Sequence, residues 1–233
     1  MSYYVHNPNN PDENIIIGLF DGAGDNRCRH LNRFKIFSIF VGGWECLFRV
    51  DEFVKIITDI VNPNIKRIII TGICKHANLA LELAYRLKRL EQFKDIKIGV
   101  FGTPFLLGCH KCTTTYHRGI PLTPALDDTL KTYPGLNPLV EQYGDCPTIV
   151  NAHKEEQDNV KIYALVTYNK DNWTLELDNL DIPEYKETLS GALVIETPYL
   201  NTNKCHGAIV HMVLNDKANN IIQNYITKIF QDL

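Results

Sequence analysis

Residues 67–85 read RIIITGICKHANLALELAY, and this stretch decides the fold of the chain. Three isoleucines and a threonine run up to Gly72, which is typical of a buried strand that ends in a turn. A helical pattern begins three residues later, and its leucines from Leu79 to Leu87, with alanines beside them, predict an amphipathic helix. Cys74 lies at the corner between the strand and the helix.

That corner favours a reactive cysteine. The first N–H groups of a helix have no partner inside the helix and attract negative charge, so they favour the thiolate of Cys74. The ammonium of the neighbouring Lys75 acts in the same direction. We therefore interpret Cys74 as a candidate nucleophile. The alternative interpretation is a buried structural thiol, because free cysteine is among the most buried residue types.

The same rhythm of strand and helix extends along the chain and predicts an α/β fold. Strands that are apolar throughout and separated by helices form parallel sheets that are covered on both faces. We expect a mostly parallel, doubly wound sheet with helices on both faces. Buried-strand patterns occupy residues 14–20, 35–41, 67–71, 96–101, 160–167 and 192–197, and helical patterns occupy residues 50–61, 75–90 and 216–232. The predicted apolar face of the last helix consists of Ala218, Ile221, Ile222, Tyr225, Ile226 and Ile229.

One segment interrupts this rhythm. Residues 105–159 are rich in proline and carry only short apolar clusters. We predict that they form a cap inserted into a single domain of residues 1–233, a length that suits one α/β domain.

The corner has a family resemblance. The segment Gly72-Ile73-Cys74-Lys75-His76 resembles the nucleophile elbow of the α/β-hydrolase superfamily, which includes esterases, lipases and dienelactone hydrolases. The elbow usually reads G-x-S-x-G, so this chain has cysteine in place of serine, and His76 where a small residue is usual. The resemblance covers residue 14 to the last residue, and it implies an active site beyond the carboxyl ends of the strands. With only 13 residues before that first strand, the first two strands of the family are expected to be missing or reduced.

The resemblance also implies a reaction: hydrolysis or transfer of an ester- or thioester-type acyl group by a catalytic triad. In the family, the nucleophile is followed along the chain by an acid and then by a histidine. In this sequence, Asp171 follows the strand at residues 160–167 and is the expected orienting acid, and His206 precedes the last helix and is the expected base. Alternatives for these two roles are Asp178, Asp181 and His211.

The oxyanion donors are expected from two loops. One is the backbone N–H of Lys75, and the other is the loop Gly22-Ala23-Gly24, where Asp21 replaces a histidine of the family segment. His76 is a further candidate for contact with the substrate, and the cap is expected to form the substrate pocket.

A second hypothesis belongs to another class of protein. The chain would keep the hydrolase fold, lack catalysis and serve as a binding or scaffolding module. Both the cysteine in place of serine and the bulky His76 favour this alternative.

Metal and cofactor sites are not expected. Cys109 and Cys112 form a C-x-x-C pair, but a structural zinc site needs a second pair at defined spacing, and the sequence contains none. The glycines at residues 22–24 are not a dinucleotide fingerprint, because Arg27 stands where the third glycine would be.

Net charge, apolar runs and cysteine count limit the kinds of partner and location that we expect. A net charge of −3 argues against nucleic acid, and no apolar run approaches the roughly 20 residues of a membrane span. The odd count of seven cysteines and the lack of a signal-like N-terminus favour a cytoplasmic protein. The expected partner is a small-molecule or acyl substrate, and the oligomeric state stays open.

Overall fold

The structure, a computed structural model, describes residues 3–20, 31–41, 49–72, 75–102, 159–168, 189–196 and 216–233. The strands in these ranges are β1 (Tyr3–His6), β2 (Asn14–Phe20), β3 (Lys35–Phe40), β4 (Arg67–Gly72), β5 (Lys97–Gly102), β6 (Val160–Tyr168) and β7 (Gly191–Glu196). The α-helices are α1 (Val50–Ile60), α2 (Lys75–Lys88) and α3 (Asp216–Asp232), and a short 3₁₀ turn spans Glu91–Phe93. The six strands predicted from the sequence all form, with bounds that shift by one residue at most at either end.

The strands form one sheet in the order β1-β3-β2-β4-β5-β6-β7. All neighbours from β3 to β7 are parallel, and only β1 runs antiparallel. At the centre, Ile70 of β4 lies between Ile17 of β2 and Val100 of β5. The predicted mostly parallel α/β sheet is confirmed, and β4, which leads to Cys74, is its middle strand.

The first strand is the element that the sequence analysis did not identify. β1 pairs with β3 so that Tyr3 lies opposite Ile39 and His6 lies opposite Ile36. Nε2 of His6 lies 3.0 Å from Oγ of Ser38, and both side chains are buried. Four residues are too short for a period-2 pattern to stand out, so pairing with β3 decides this strand.

Two helices cover one face of the sheet. α1 buries Val50, Phe53, Ile57 and Ile60, which recur at helical spacing. In α2, the predicted apolar face from Leu79 to Leu87 is confirmed, and every side chain from residue 79 to residue 85 is at most 2% exposed. This burial fixes α2 firmly behind β4 and β5, so the start of α2 has a defined position relative to the sheet.

The end of α2 is held by a lysine. Nζ of Lys88 donates hydrogen bonds to the carbonyl oxygens of Phe93, Lys94 and Ile96, at 3.0, 2.8 and 3.0 Å. These three bonds use all the donors of the ammonium and shape the turn that leads into β5.

We expect the Lys88→Met variant to lose about 2 kcal/mol of unfolding free energy, because three carbonyl groups lose a charged partner while the side-chain stem is kept. Urea denaturation measures this loss. The control is Lys94→Met, which removes only an exposed ion pair with Glu91 and should change stability by less than about 0.5 kcal/mol. Equal stability of the two variants would contradict the structural role of Lys88.

Helix α3 covers the opposite face. Its side chains Ile222, Ile226, Ile229 and Phe230 are all buried at 5% exposure or less. The prediction that Ile221 belongs to this face is wrong, because that side chain is 37% exposed. Adjacent residues on a helix point about 100° apart, and the buried stripe runs through Ile222 instead of Ile221.

None of the helices in the described ranges is long and apolar enough to cross a membrane.

The contacts at the end of α3 define its direction. Near the beginning of β6, Nζ of Lys161 lies 3.1 Å from Oδ2 of Asp232, and the Tyr163 hydroxyl donates to the same carboxylate. Burial and this hydrogen bond raise the pKa of Tyr163, and the same hydrogen bond holds the pKa of Asp232 below its usual value. Helix α3 therefore ends near the amino ends of the parallel strands, and its first turn faces the carboxyl edge of the sheet.

Candidate active site

The predicted corner is present as a strand followed closely by a helix. β4 ends at Gly72 and α2 begins at Lys75, so only residues 73 and 74 join them. Cys74 itself lies outside the described residues. The strand-to-helix connection is short and lies at the carboxyl end of the central strand, which is where ligand sites of open α/β sheets occur.

Close contact between Gly72 and His76 defines the geometry of this corner. A Cβ atom placed on Gly72 would lie 2.3 Å from the backbone oxygen of His76, 2.5 Å from its carbonyl carbon and 2.9 Å from its Cβ. Real Cβ atoms do not approach other atoms so closely, so only glycine fits at this position. The absence of a side chain at Gly72 therefore leaves room mainly for the backbone of residue 76.

The side chain of His76 is buried, with 4% of its surface exposed. It therefore lies within the first turn of α2 and not on the open surface of the protein. Whether it contacts a substrate stays a prediction. Although His76 stands where the elbow pattern usually has a small residue, its side chain is accommodated in a buried position.

Helix α2 presents its positive end to the corner. The first backbone N–H groups of a helix point outward without intrahelical partners. No acidic residue occurs in the first turn of α2, so that turn contributes no carboxylate to neutralise the dipole. An anion placed just before this first turn would be stabilised. The role of the Lys75 N–H as an oxyanion donor stays a prediction.

The remaining predicted site residues lie outside the described part of the chain. They are Gly22, Ala23 and Gly24 after β2, Asp171 after β6, and His206 between β7 and α3. All but the last residue of the predicted cap, residues 105–159, also lie outside it. The strands that lead to these residues end at the same edge of the sheet as β4, since all of them are parallel.

The spacing of the strands is compatible with a shared site. β6 is two strands from β4 and β7 is three, which corresponds to about 10 Å and about 14 Å at the usual strand separation. His206 lies ten residues after Glu196 and ten before Asp216, and ten extended residues span up to about 33 Å. Chain length therefore allows this histidine to reach the corner after β4.

One polar residue was missed by the sequence analysis. Asn219 lies in the first turn of α3 and is only 3% exposed. Its signal in the sequence was a polar residue three positions before Ile222, which belongs to the predicted apolar face. Within the described ranges, no three His, Cys, Asp or Glu side chains are grouped as a metal site requires. Cys109 and Cys112 lie outside those ranges.

Comparison with solved structures identifies the fold. The chain is 12% identical to an esterase from Pyrobaculum calidifontis, with a TM-score of 0.58 over 97% of this chain and 79% of that one. It is 14% identical to the thioesterase domain that cyclises the lipopeptide antibiotic surfactin, with a TM-score of 0.54 over 96% and 95%. A thermostable carboxylesterase cloned from a metagenomic library is 14% identical, with a TM-score of 0.50 over 95% and 83%.

These likenesses show the fold alone, because identity is low. The chain has the α/β-hydrolase fold, as expected from the elbow pattern. No family model matches the sequence, and no curated protein matches it.

Proposed function

We propose that this protein is an ester or thioester hydrolase, or an acyltransferase, in which Cys74 is the nucleophile, His206 the base and Asp171 the group that orients the base. The observation that carries the proposal is the tight corner between Gly72 and His76 at the end of the central strand. A corner of this kind presents residue 74 to the carboxyl edge and to the positive end of α2.

The chemistry follows from these roles. His206 accepts the proton of the Cys74 thiol, and the thiolate attacks the acyl carbon, forming a carbon–sulfur bond. His206 then donates that proton to the leaving alcohol or thiol. Water, or a second substrate that accepts the acyl group, attacks the thioester and restores the free thiol. Asp171 holds the imidazole in the orientation that this proton transfer requires.

We propose that two sets of backbone N–H donors stabilise the oxyanion. The N–H of Lys75 belongs to the first turn of α2, and the loop Gly22-Ala23-Gly24 follows β2, the direct neighbour of β4. Donors fixed in this way stabilise the charge that develops on the acyl oxygen in the transition state.

The activities named for the solved structures that share this fold favour the same class of enzyme. One is described as a carboxylesterase, one as an esterase and one as a thioesterase domain. A small-molecule acyl substrate suits this class. The proposed thiolate needs a reduced cysteine, which suits the cytoplasmic location expected from the sequence.

Selective alkylation tests the proposed nucleophile. We expect iodoacetamide near neutral pH to modify Cys74 at least about tenfold faster than the other six cysteines, because the end of α2 favours its thiolate. Mass spectrometry of peptides from a time course measures the rate at each site. Alkylation in guanidinium chloride is the control, since the rates should become similar once the helix is lost. No selectivity for Cys74 in the folded protein would contradict the proposal.

A further inference from the structure

The first turn of α3 lies close to the carboxyl edge where the proposed reaction takes place. The ring centroid of Tyr225 lies 5.6 Å from that of Phe101, the second-last residue of β5. Asn219 precedes Tyr225 by six residues, which is about 9 Å along the helix axis toward the carboxyl edge. Its neighbours on the buried helix face are Ile222 and Gln223.

In the described part of the chain, the side-chain amide of Asn219 is buried and unpaired. Neither its Nδ2 nor its Oδ1 has a partner among the residues that the structure describes, although the side chain is only 3% exposed. Gln223, one turn later and equally buried, provides the contrast, since its Oε1 accepts a hydrogen bond from the backbone N–H of Arg33 at 3.1 Å. An unpaired buried amide costs stability and is rare in folded proteins, so it points to a ligand.

The position of Asn219 in the helix also favours a particular kind of ligand atom. It belongs to the first turn of a 17-residue helix, where backbone N–H groups and the helix dipole favour an electronegative atom. A carbonyl oxygen fits such a position. A ligand group with one acceptor and one donor would satisfy both Nδ2 and Oδ1 of Asn219.

We propose that Asn219 and the first turn of α3 bind an amide group in the acyl part of the substrate. This inference rests on the proposed function, because it deepens the same site. The amide carbonyl accepts a hydrogen bond from Nδ2 of Asn219, and the amide N–H donates one to Oδ1. An alkyl chain offers neither bond, and a carboxylate only accepts. A group that reaches Asn219 leaves bulk water, so a missing hydrogen bond is costly and the site is selective.

Two acids that differ in a single group test this assignment. N-acetylglycine carries an amide N–H where levulinate carries a CH₂ group, and the two molecules are otherwise alike. Calorimetric titration of the full-length Cys74→Ala variant measures binding without turnover. We expect N-acetylglycine to bind at least about tenfold more tightly than levulinate, which corresponds to one buried hydrogen bond. Equal binding of the two acids, or no binding of either, would overturn the proposal.

The Asn219→Leu variant in the same background provides the second arm. We expect it to bind both acids equally and to melt at the same temperature or higher, because leucine has a similar volume and leaves no polar group unpaired. A lower melting temperature would show that Asn219 is satisfied by the protein itself, and a retained preference for N-acetylglycine would place the amide elsewhere. Either result overturns the proposal.

Failure of this inference is distinguishable from failure of the proposed function. The titrations require no reaction, so an inactive protein that still discriminates between the two acids supports the binding site and contradicts the chemistry. An active protein without that discrimination does the opposite.

Discussion

Replacement of Cys74 by alanine is expected to lower kcat/KM for p-nitrophenyl acetate by at least about a thousandfold. Covalent catalysis needs the thiolate, and alanine leaves only binding and oxyanion stabilisation. The melting temperature should change little, since alanine removes only the sulfur atom. Steady-state hydrolysis followed by absorbance measures the effect.

Three further variants control this experiment. Cys112→Ala removes a thiol that has no role in the proposed reaction and should keep full activity. His206→Ala should lose activity to a similar extent, and the double variant Cys74→Ala/His206→Ala should be no worse than either single variant, because the two groups act as a unit. If Cys74→Ala and His206→Ala both keep the turnover of the unaltered protein, the binding-module alternative becomes the better interpretation.

The second large effect is expected from Gly72→Ala. Its new Cβ atom would lie 2.3 Å from the backbone oxygen of His76, and this backbone has little room to move because the side chains of His76 and Ala77 are buried. We expect a loss of about 3 kcal/mol or more in unfolding free energy. In protein that still folds, displacement of the corner by about 1 Å should lower kcat by about a hundredfold. Urea denaturation and ester hydrolysis measure the two effects.

Gly99→Ala is the matched control for this variant. Gly99 is also a buried strand glycine, but the Cβ atom of an alanine there would meet mainly the methyl ends of Leu233, at 3.2 and 3.3 Å. Those methyl groups can rotate away, so we expect a change of less than about 1 kcal/mol. Similar losses in Gly72→Ala and Gly99→Ala would contradict the special geometry of the corner.

A third variant identifies the atoms that clash. In Gly72→Ala/His76→Ala, the His76 ring is gone but the backbone oxygen and carbonyl carbon of residue 76 remain. We expect no recovery of stability, because these backbone atoms are the nearest ones to the added Cβ. Recovery would mean that the imidazole ring, and not the backbone, requires glycine at position 72.

The central strands were predictable from the sequence because they are buried on both faces. The run from Ile68 to Ile70 is apolar at every position, and all three side chains are fully buried in β4. Such a run needs no knowledge of its neighbours to be recognised. The helical spacing of α2 was equally clear, and its predicted face from Leu79 to Leu87 is buried.

The candidate site was predictable only as an order of residues along the chain. Cys74 is a candidate because of its place after a strand, and Asp171 and His206 are candidates because of the order of roles in the family. Their strands, β4, β6 and β7, are confirmed as parallel members of one sheet. The meeting of the three side chains stays a prediction, to be tested by the variants above.

Local pattern alone therefore determined the fold class, the order of its strands and helices along the chain, and the position of the corner. Periodicity and turn residues carry this information, because they act between residues that are close in sequence. The tertiary structure decided the features that depend on distant segments. The pairing of β1 with β3, the exposure of Ile221 and the buried amide of Asn219 each follow from which surface packs against which. For the same reason, the need for glycine at position 72 is apparent only in the structure, because it comes from the close approach of the backbone of residue 76.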